Sequence, residues 1–152
     1  MEKMEICVDR GYAYRKLLIK MLALENVGRV FYHALRAKTG DNELKSIYER
    51  LARNEQETAR RIAQELLSMD KDCRIMTNRR LAALAGHLFG MMTSKQLGWI
   101  LRRVLARRMY SRWFDTYHDA DHDFWLLLVR HEDLQHELLS PFWRGQKKEV
   151  QQ

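Results

Sequence analysis

Apolar residues recur along the chain with the spacing of one helical face. Over residues 12–38 they return every three or four positions, and the same spacing is found over 43–69. Such spacing places apolar side chains on one side of an α-helix. The Gly-Asp-Asn segment at 40–42 separates the two stretches, and these residue types are typical of a helix end followed by a helix start. The pattern predicts two long helices joined by a tight turn.

A polar, irregular stretch at 68–77 separates this first pair from the rest of the chain. Asn78 is then expected to cap a short apolar helix that acts as a crossover. Thr93 is followed three residues later by Gln96, which fits a capping box. A third long helix is therefore predicted to begin there and to run to about His118.

A fourth helix is predicted over 122–140, where Pro141 is expected to end it. Residues 142–152 are expected to form a basic tail. Four long helices with two tight connections and one long one describe an all-α four-helix bundle of two helical hairpins, joined by a long crossover with a short extra helix. The length of 152 residues suits a single domain, with its core at about 12–140.

Composition and charge narrow the range of functions. Lys and Arg number 27 and Asp and Glu number 20, a net charge of +7, so a basic surface is expected that favours nucleic acid or an acidic partner. Cys7 and Cys73 lack the spacing of a zinc cluster or a disulfide framework, which favours a cytoplasmic protein. The longest apolar run, 124–129, is far shorter than the roughly 20 residues of a membrane-spanning helix, so none is expected.

Ionisable residues interrupt the predicted apolar faces. Glu25 lies on the apolar face of the first helix, and Glu55 lies on the apolar face of the second. Asp133 and His136 lie one turn apart on the apolar face of the fourth helix. A shift of 78 positions aligns Glu55 with Asp133 and Thr58 with His136. In a closed bundle these side chains would converge. Because buried carboxylates need a metal, a cationic partner or a shared proton, the set is a candidate metal site.

The segments around these residues resemble the ferritin-like proteins, and the rubrerythrin group in particular. The resemblance is carried by Ala-Leu-Glu at 23–25 with Phe-Tyr at 31–32, by Leu-Ala-Arg-Asn-Glu-Gln-Glu-Thr-Ala at 51–59 and by His-Glu-Asp-Leu-Gln-His at 131–136. Proteins of this family hold two irons with a Glu on helices 1 and 3 and Glu-x-x-His on helices 2 and 4. The resemblance covers about residues 12–140 and implies a ferritin-like bundle with iron binding and reduction of peroxide or oxygen.

The chain departs from the family pattern at three of the six ligand positions. Thr58 stands at a lost ligand position on helix 2, Arg108 replaces the Glu of helix 3, and Asp133 is a shortened Glu. Arg108 is expected to supply the positive charge that a metal otherwise would. The metal ligands that the resemblance leaves are Glu25, Glu55, Asp133 and His136.

Three interpretations of this site stay open. In the first, no metal binds and Arg108 pairs with one of the carboxylates. In the second, a single Fe, Mn or Zn ion is held by some of the remaining ligands and by water. In the third, a two-iron site is completed by other residues, such as Glu57 or Glu132. Any redox activity would need an external electron donor, since the chain has no rubredoxin-like cysteine cluster.

A different class of function is also open. The chain would then be a non-catalytic helical scaffold, a homodimer that presents its basic surface to an acidic partner or to nucleic acid. Its basic pairs accompany no recognition motif, so weak, salt-sensitive adhesion is expected rather than sequence-specific binding. The pairs are Arg60-Arg61, Arg79-Arg80, Arg102-Arg103 and Arg107-Arg108.

Overall fold

Helices account for nearly all of the chain that the computed structural model describes, which is the backbone of residues 2–69 and 79–149 and the side chains of 11–69 and 79–142. These residues contain no β-strand, so the all-α prediction is confirmed. The helices are α1 (Glu2–Lys38), α2 (Asn42–Met69), α3 (Arg79–Met91), α4 (Ser94–Ala106), α5 (Met109–Tyr117) and α6 (His122–Glu149).

The first two helices form the predicted hairpin, although α1 begins earlier than predicted, at Glu2. Asp41 caps α2, because its Oδ1 accepts hydrogen bonds from the backbone N–H groups of Glu43, at 2.8 Å, and Leu44, at 3.1 Å. α1 packs along α2 and also contacts α3 and α4. The short crossover helix is present as α3, while Asn78, its expected cap, lies outside the described residues.

The predicted third helix is two helices in the structure. It begins as predicted, because Thr93 Oγ1 accepts from Gln96 N at 3.3 Å and Gln96 Oε1 accepts from Thr93 N at 2.8 Å, which is the capping box. However, α4 ends at Ala106 and α5 begins at Met109. The prediction of one continuous helix to about His118 is therefore wrong.

The break between α4 and α5 follows a change of phase in the buried face. α4 buries Leu97, Leu101 and Leu105, and a continuous helix would bury a residue three or four positions further on. The next buried residue is instead Tyr110. Arg108, between the helices, has a left-handed φ of 43°, the one positive φ among the non-glycine residues of the described part. Because this conformation is costly for an L-residue, contacts distant in sequence must hold the break.

The last helix passes through Pro141 and continues to Glu149, so the prediction that Pro141 ends it is wrong. Proline fixes φ at a helical value but has no N–H to donate to the carbonyl four residues earlier. That carbonyl belongs to Glu137, and it accepts a hydrogen bond from Ser140 Oγ at 3.5 Å instead. Part of the expected basic tail is therefore helical.

Two separate groups of buried apolar side chains form the interior. The first apolar cluster comprises Tyr14, Leu18, Met21, Leu22, Ala59, Ile62, Leu66, Tyr110, Phe124, Trp125 and Leu128. The second apolar cluster comprises Phe31, Tyr32, Leu35, Leu51, Ala52, Leu97, Leu101, Leu105 and Leu139. α5 packs on α6, which also contacts α2 and α4. The ferritin-like arrangement of these helices stays a prediction.

None of the helices in the described part has a long enough apolar stretch to cross a membrane.

Candidate metal centre

Polar side chains lie in the interior between the two apolar clusters. Along α1 the first apolar cluster ends at Leu22 and the second begins at Phe31, and Glu25 lies between them. Glu55 occupies the corresponding gap on α2, and His131 occupies that on α6. All three side chains are buried, with at most 5% of each exposed. Ionisable groups thus form a layer in the middle of the core.

Glu25, Glu55 and His131 converge on one point. Each offers one ligand atom, and these atoms lie within 4.8 Å of one another. His131 Nε2 is 3.4 Å from Glu25 Oε2 and 3.4 Å from Glu55 Oε1. Among the described residues this is the group of acidic, histidine or cysteine side chains whose spacing suits a metal ion.

Neighbouring side chains orient the two carboxyl groups but leave one oxygen without a donor. The Tyr110 hydroxyl donates to Glu25 Oε1, and the Gln135 side-chain amide donates to Glu55 Oε1. Glu25 Oε2 is fully buried and accepts no hydrogen bond from the described residues. Such an oxygen is costly to bury, and it is the oxygen that faces His131 Nε2. A metal ion bound there would remove that cost.

Gly28 makes room for the Glu55 carboxyl group. A Cβ atom added at Gly28 would lie 2.9 Å from Glu55 Cδ and closer still to its Oε2. Real Cβ atoms do not approach other atoms so closely, so any other residue at this position would displace the carboxyl group. Glycine therefore has a role in the site that depends on size and not on backbone conformation.

His131 is oriented by two residues of α2. Its Nδ1 lies 2.9 Å from Thr58 Oγ1 and 2.7 Å from Asn54 Nδ2. Both contacts lie on Nδ1, so they hold the ring with Nε2 directed at the two carboxyl groups. In metal-binding histidines the ring nitrogen away from the metal is usually hydrogen bonded as well. Thr58, predicted as a lost ligand position, thus contacts the histidine of the cluster.

Burial makes both carboxyl groups reluctant to ionise. It raises the pKa of Glu25 well above its usual value, and the charge of Glu55 raises it further. Burial raises the pKa of Glu55 to about 8, although hydrogen bonds from its neighbours act in the opposite direction. Loss of solvation penalises the charged form of a carboxyl group. At neutral pH the layer therefore holds protons unless a cation replaces them.

Arg108 lies away from these carboxylates. Its Nη1 is 3.0 Å from Asp133 Oδ1, and the two side chains are 49% and 56% exposed. Asp133 was one of the three acids with which Arg108 was expected to pair, but the pair lies at the surface. The predicted pairing of Arg108 with an acid of the set is therefore confirmed for Asp133, but its predicted place inside the bundle is wrong. The cause is the break before α5, which turns Tyr110 inward and leaves Arg108 outside.

The structure brings together Glu25 and Glu55 of the predicted ligands, but not Asp133 and His136. His136 is partly buried, and its Nε2 lies 2.9 Å from the carbonyl oxygen of Leu105. His131 contributes the imidazole of the cluster instead. Asp133 and His136 were predicted on the apolar face of the last helix, whereas the face that contains the fully buried Trp125 and Leu128 is a neighbouring one. A shift of one residue moves a side chain about 100° around a helix, which accounts for the difference.

Glu132, considered above as a ligand of a two-iron site, has another role. Its Oε1 accepts from the Tyr110 N–H at 3.2 Å, and its Oε2 accepts from the Ser111 N–H at 3.1 Å and from Ser111 Oγ at 2.7 Å. It thereby binds the free N–H groups at the start of α5, where the helix dipole favours negative charge. Glu57 is exposed and pairs with Arg60 and Arg61, so neither residue belongs to the cluster.

Four residues of the site do not follow from the sequence pattern, namely Gly28, Tyr110, His131 and Gln135. For His131 the sequence offers only an ambiguous signal: His131 and Gln135 share the face of Trp125 and Leu128, which is one of several apolar faces that residues 124–129 allow. No local signal marks Gly28 or Tyr110, because their roles depend on contacts with other helices.

Comparisons of the chain with protein-family models, with curated proteins and with solved structures found no match.

Proposed function

We propose that this protein binds a single divalent ion of a first-row metal, such as iron, manganese or zinc, through Glu25, Glu55 and His131. The observation that carries the proposal is the convergence of three buried donor atoms within 4.8 Å. Carboxylate oxygen and imidazole nitrogen suit these metals. Three protein ligands would leave further coordination positions for water or a small substrate.

The charge of the layer supports a divalent ion. Two buried carboxylates carry two negative charges when ionised, and a divalent cation neutralises both. Arg108, the cation expected from the sequence, pairs with Asp133 at the surface and does not neutralise Glu25 or Glu55. Protons are the alternative source of neutralisation, and metal binding would consist of their replacement.

We infer further that the bundle is ferritin-like. In support, carboxylates from the first and second helices and a donor from the last helix meet between two apolar clusters, as the resemblance implies. Iron, when bound, would supply the one-electron chemistry toward oxygen or peroxide that this resemblance implies, with electrons from an external donor. The chain's own residues orient the ligands: Tyr110 and Gln135 hold the carboxyl groups, and Thr58 holds the imidazole.

Metal titration of the metal-depleted protein tests the proposal. Calorimetry and elemental analysis should find one Fe(II), Mn(II) or Zn(II) ion per chain, with Fe(II) handled without oxygen. His131→Ala and Glu55→Gln should each lower the affinity by roughly a hundredfold or more, since each removes a ligand. Asp133→Asn is the matched control. It changes an acid two residues from His131 that is exposed, and it should leave the affinity unchanged.

Circular dichroism shows whether each variant is folded. Folded wild-type protein that binds no metal would contradict the proposal and favour a metal-free bundle in which the carboxyl groups keep their protons. Equal loss of metal in Asp133→Asn and His131→Ala would contradict the ligand set.

A further inference from the structure

The crossover helix α3 presents a row of large apolar side chains to solvent. Leu81, Leu84, Leu88 and Met91 are each between 41% and 66% exposed. Ala85 is the buried residue of this helix. Most of the apolar surface of α3 is therefore not covered by the part of the chain that the structure describes.

The exposed side chains form one stripe. They are spaced by three, four and three residues, which places them on the same side of the helix. The opposite side of α3 packs on α1: Phe89 meets Phe31 with ring centroids 5.0 Å apart, and a Cβ atom added at Gly86 would lie 2.8 Å from Val30 Cγ1. We call Leu81, Leu84, Leu88 and Met91 the α3 stripe.

Positive charge is concentrated in the same part of the chain. Residues 79–114 contain eight Lys or Arg and no Asp or Glu, whereas the remainder, with 19 basic and 20 acidic residues, sums to −1. Arg79 and Arg80 are exposed at the start of α3, where the helix dipole disfavours cations. The helix dipole therefore gives no reason for a pair of cations at this position. On α4, Trp99 is 59% exposed, and the Arg103 guanidinium lies 4.5 Å from its ring centroid.

We propose that the α3 stripe docks on an anionic phospholipid surface. A helix with leucines on one side and arginines beside them lies in the interface of a bilayer, with its apolar side chains in the acyl boundary and its cations among the headgroups. Lipid phosphates match a segment that carries only positive charge. The protein would bind to the bilayer without crossing it.

Two other occupants fit less well. A second copy of the chain, related by a two-fold axis, would bring this segment against itself, and like charges would repel. Nucleic acid would match the charge but would leave the leucines of the stripe without an apolar partner, because its affinity comes mainly from phosphate contacts. We call residues 79–114, which contain no Asp or Glu, the acid-free segment. The combination of the α3 stripe with this segment favours a lipid surface as the partner.

Vesicle flotation with the full-length protein tests this proposal. The protein should float with vesicles that contain phosphatidylglycerol and remain unbound with vesicles of pure phosphatidylcholine. Leu84→Gln/Leu88→Gln should lower the partition coefficient by about tenfold or more, since it removes apolar contacts with the acyl boundary. Arg79→Gln/Arg80→Gln should weaken binding most at low salt, where charge is least screened.

Matched variants outside the segment serve as controls. Ile19→Gln/Leu67→Gln replaces two apolar side chains with comparable exposure, 48% and 41%, and Lys20→Gln/Arg50→Gln removes two exposed cations. Both should float like the wild type. Since the α3 substitutions lie at the surface and glutamine is a good helix former, the variants should fold, as thermal melting would verify.

Two results of the flotation experiment would overturn the proposal, and a third could come from DNA binding. One is an absence of flotation with phosphatidylglycerol vesicles. The other is flotation that Leu84→Gln/Leu88→Gln does not reduce, which would mean adhesion by charge alone. Duplex DNA, tested in parallel, should bind more weakly than the anionic vesicles. Tighter binding to DNA, unaffected by the leucine changes, would identify nucleic acid as the partner instead.

Discussion

Gly28 has only a hydrogen atom where any other amino acid would have a side chain. This absence of a side chain leaves the space in which the carboxyl group of Glu55 lies. The site depends on several such details. Tyr110 holds one carboxyl group of the layer and Gln135 the other. Each of these contacts joins two helices, so the geometry of the ligands is set by packing and not by the sequence next to them.

Gly28→Ala should therefore damage the metal centre. The added methyl group overlaps the Glu55 carboxyl group, and relief of such an overlap in a packed core costs about 1–3 kcal/mol. We expect a free energy of unfolding lower by about that amount, measured in urea, and a metal affinity lower by about tenfold or more.

Gly98→Ala is the control for this substitution. Gly98 is also helical, but no atom lies within 4 Å of an added Cβ. Alanine there should raise the free energy of unfolding by about 0.5–1 kcal/mol, because glycine weakens a helix. The same change should thus have opposite signs at the two positions, and equal effects would contradict the packing argument.

The raised pKa values of the buried carboxyl groups also imply that the free energy of unfolding depends on pH. The pKa of Glu55 is about 8 in the folded protein and about 4.3 in the unfolded chain. The folded state then binds more protons between these values. The contribution of the Glu55 carboxyl group to the free energy of unfolding is therefore complete below the pKa of the unfolded chain, and it is lost as the pH rises through about 8.

Urea unfolding in the presence of a chelator, at several pH values between the unfolded and the folded pKa of Glu55, measures how the free energy of unfolding depends on pH. The free energy of unfolding of the metal-free protein should fall as pH rises, by at most about 1.4 kcal/mol per pH unit for one group. Glu55→Gln should flatten the profile, and Glu57→Gln, at an exposed site, should not. Metal affinity should rise over the same range, because the ligands must lose their protons. A wild-type profile as flat as that of Glu55→Gln would contradict the assignment.

At the scale of the helices, the break between α4 and α5 determines which residues enter the core. Glu132 is the buried residue that stabilises it, since its carboxylate accepts three hydrogen bonds from the first turn of α5. It also fixes the backbone of Tyr110, whose hydroxyl reaches Glu25. A residue of α6 thus positions a ligand of α1 through α5.

Glu132→Ala should lower the free energy of unfolding by about 2–3 kcal/mol, since buried N–H groups lose charged acceptors. Urea unfolding measures the loss. Glu137→Ala, at an exposed position of the same helix, should change stability by less than about 0.5 kcal/mol. Similar losses in the two variants would show that Glu132 does not hold the break.

The parts of the fold that could be predicted from sequence have local causes. The α1–α2 turn and the Thr93 capping box depend on side chains within three residues of the backbone groups they bind. The break at Arg108 depends on Glu132, 24 positions further on, and no local pattern reports it. Pro141 does not end α6, because a lost N–H donor need not end a helix when another group satisfies the carbonyl.

The candidate site was predictable in part for the same reason. Glu25 and Glu55 interrupt clear apolar stripes, and the structure brings them together. On α6 the apolar stripe is ambiguous, because residues 124–129 are all apolar. The predicted face was a neighbouring one, so Asp133 and His136 were predicted as ligands in place of His131. The resemblance to the ferritin-like proteins reinforced that choice, since His136 fits the spacing of their motif.

At the scale of the whole molecule, two regions have distinct chemistry. The core contains the carboxylate and imidazole layer, for which we propose a metal ion. The surface contains the α3 stripe and the acid-free segment, for which we propose a lipid headgroup layer. The two proposals are independent, since substitutions in α3 leave Glu25, Glu55 and His131 untouched.

The separation of the two apolar clusters has a mechanical consequence. No buried residue belongs to both, so the buried apolar side chains at one end of the bundle form a group separate from those at the other. Local opening of one end then need not break the apolar contacts of the other end. A metal ion bound by Glu25, Glu55 and His131 would link three helices at the level between the two apolar clusters. It would thereby couple the opening of one end of the bundle to the opening of the other.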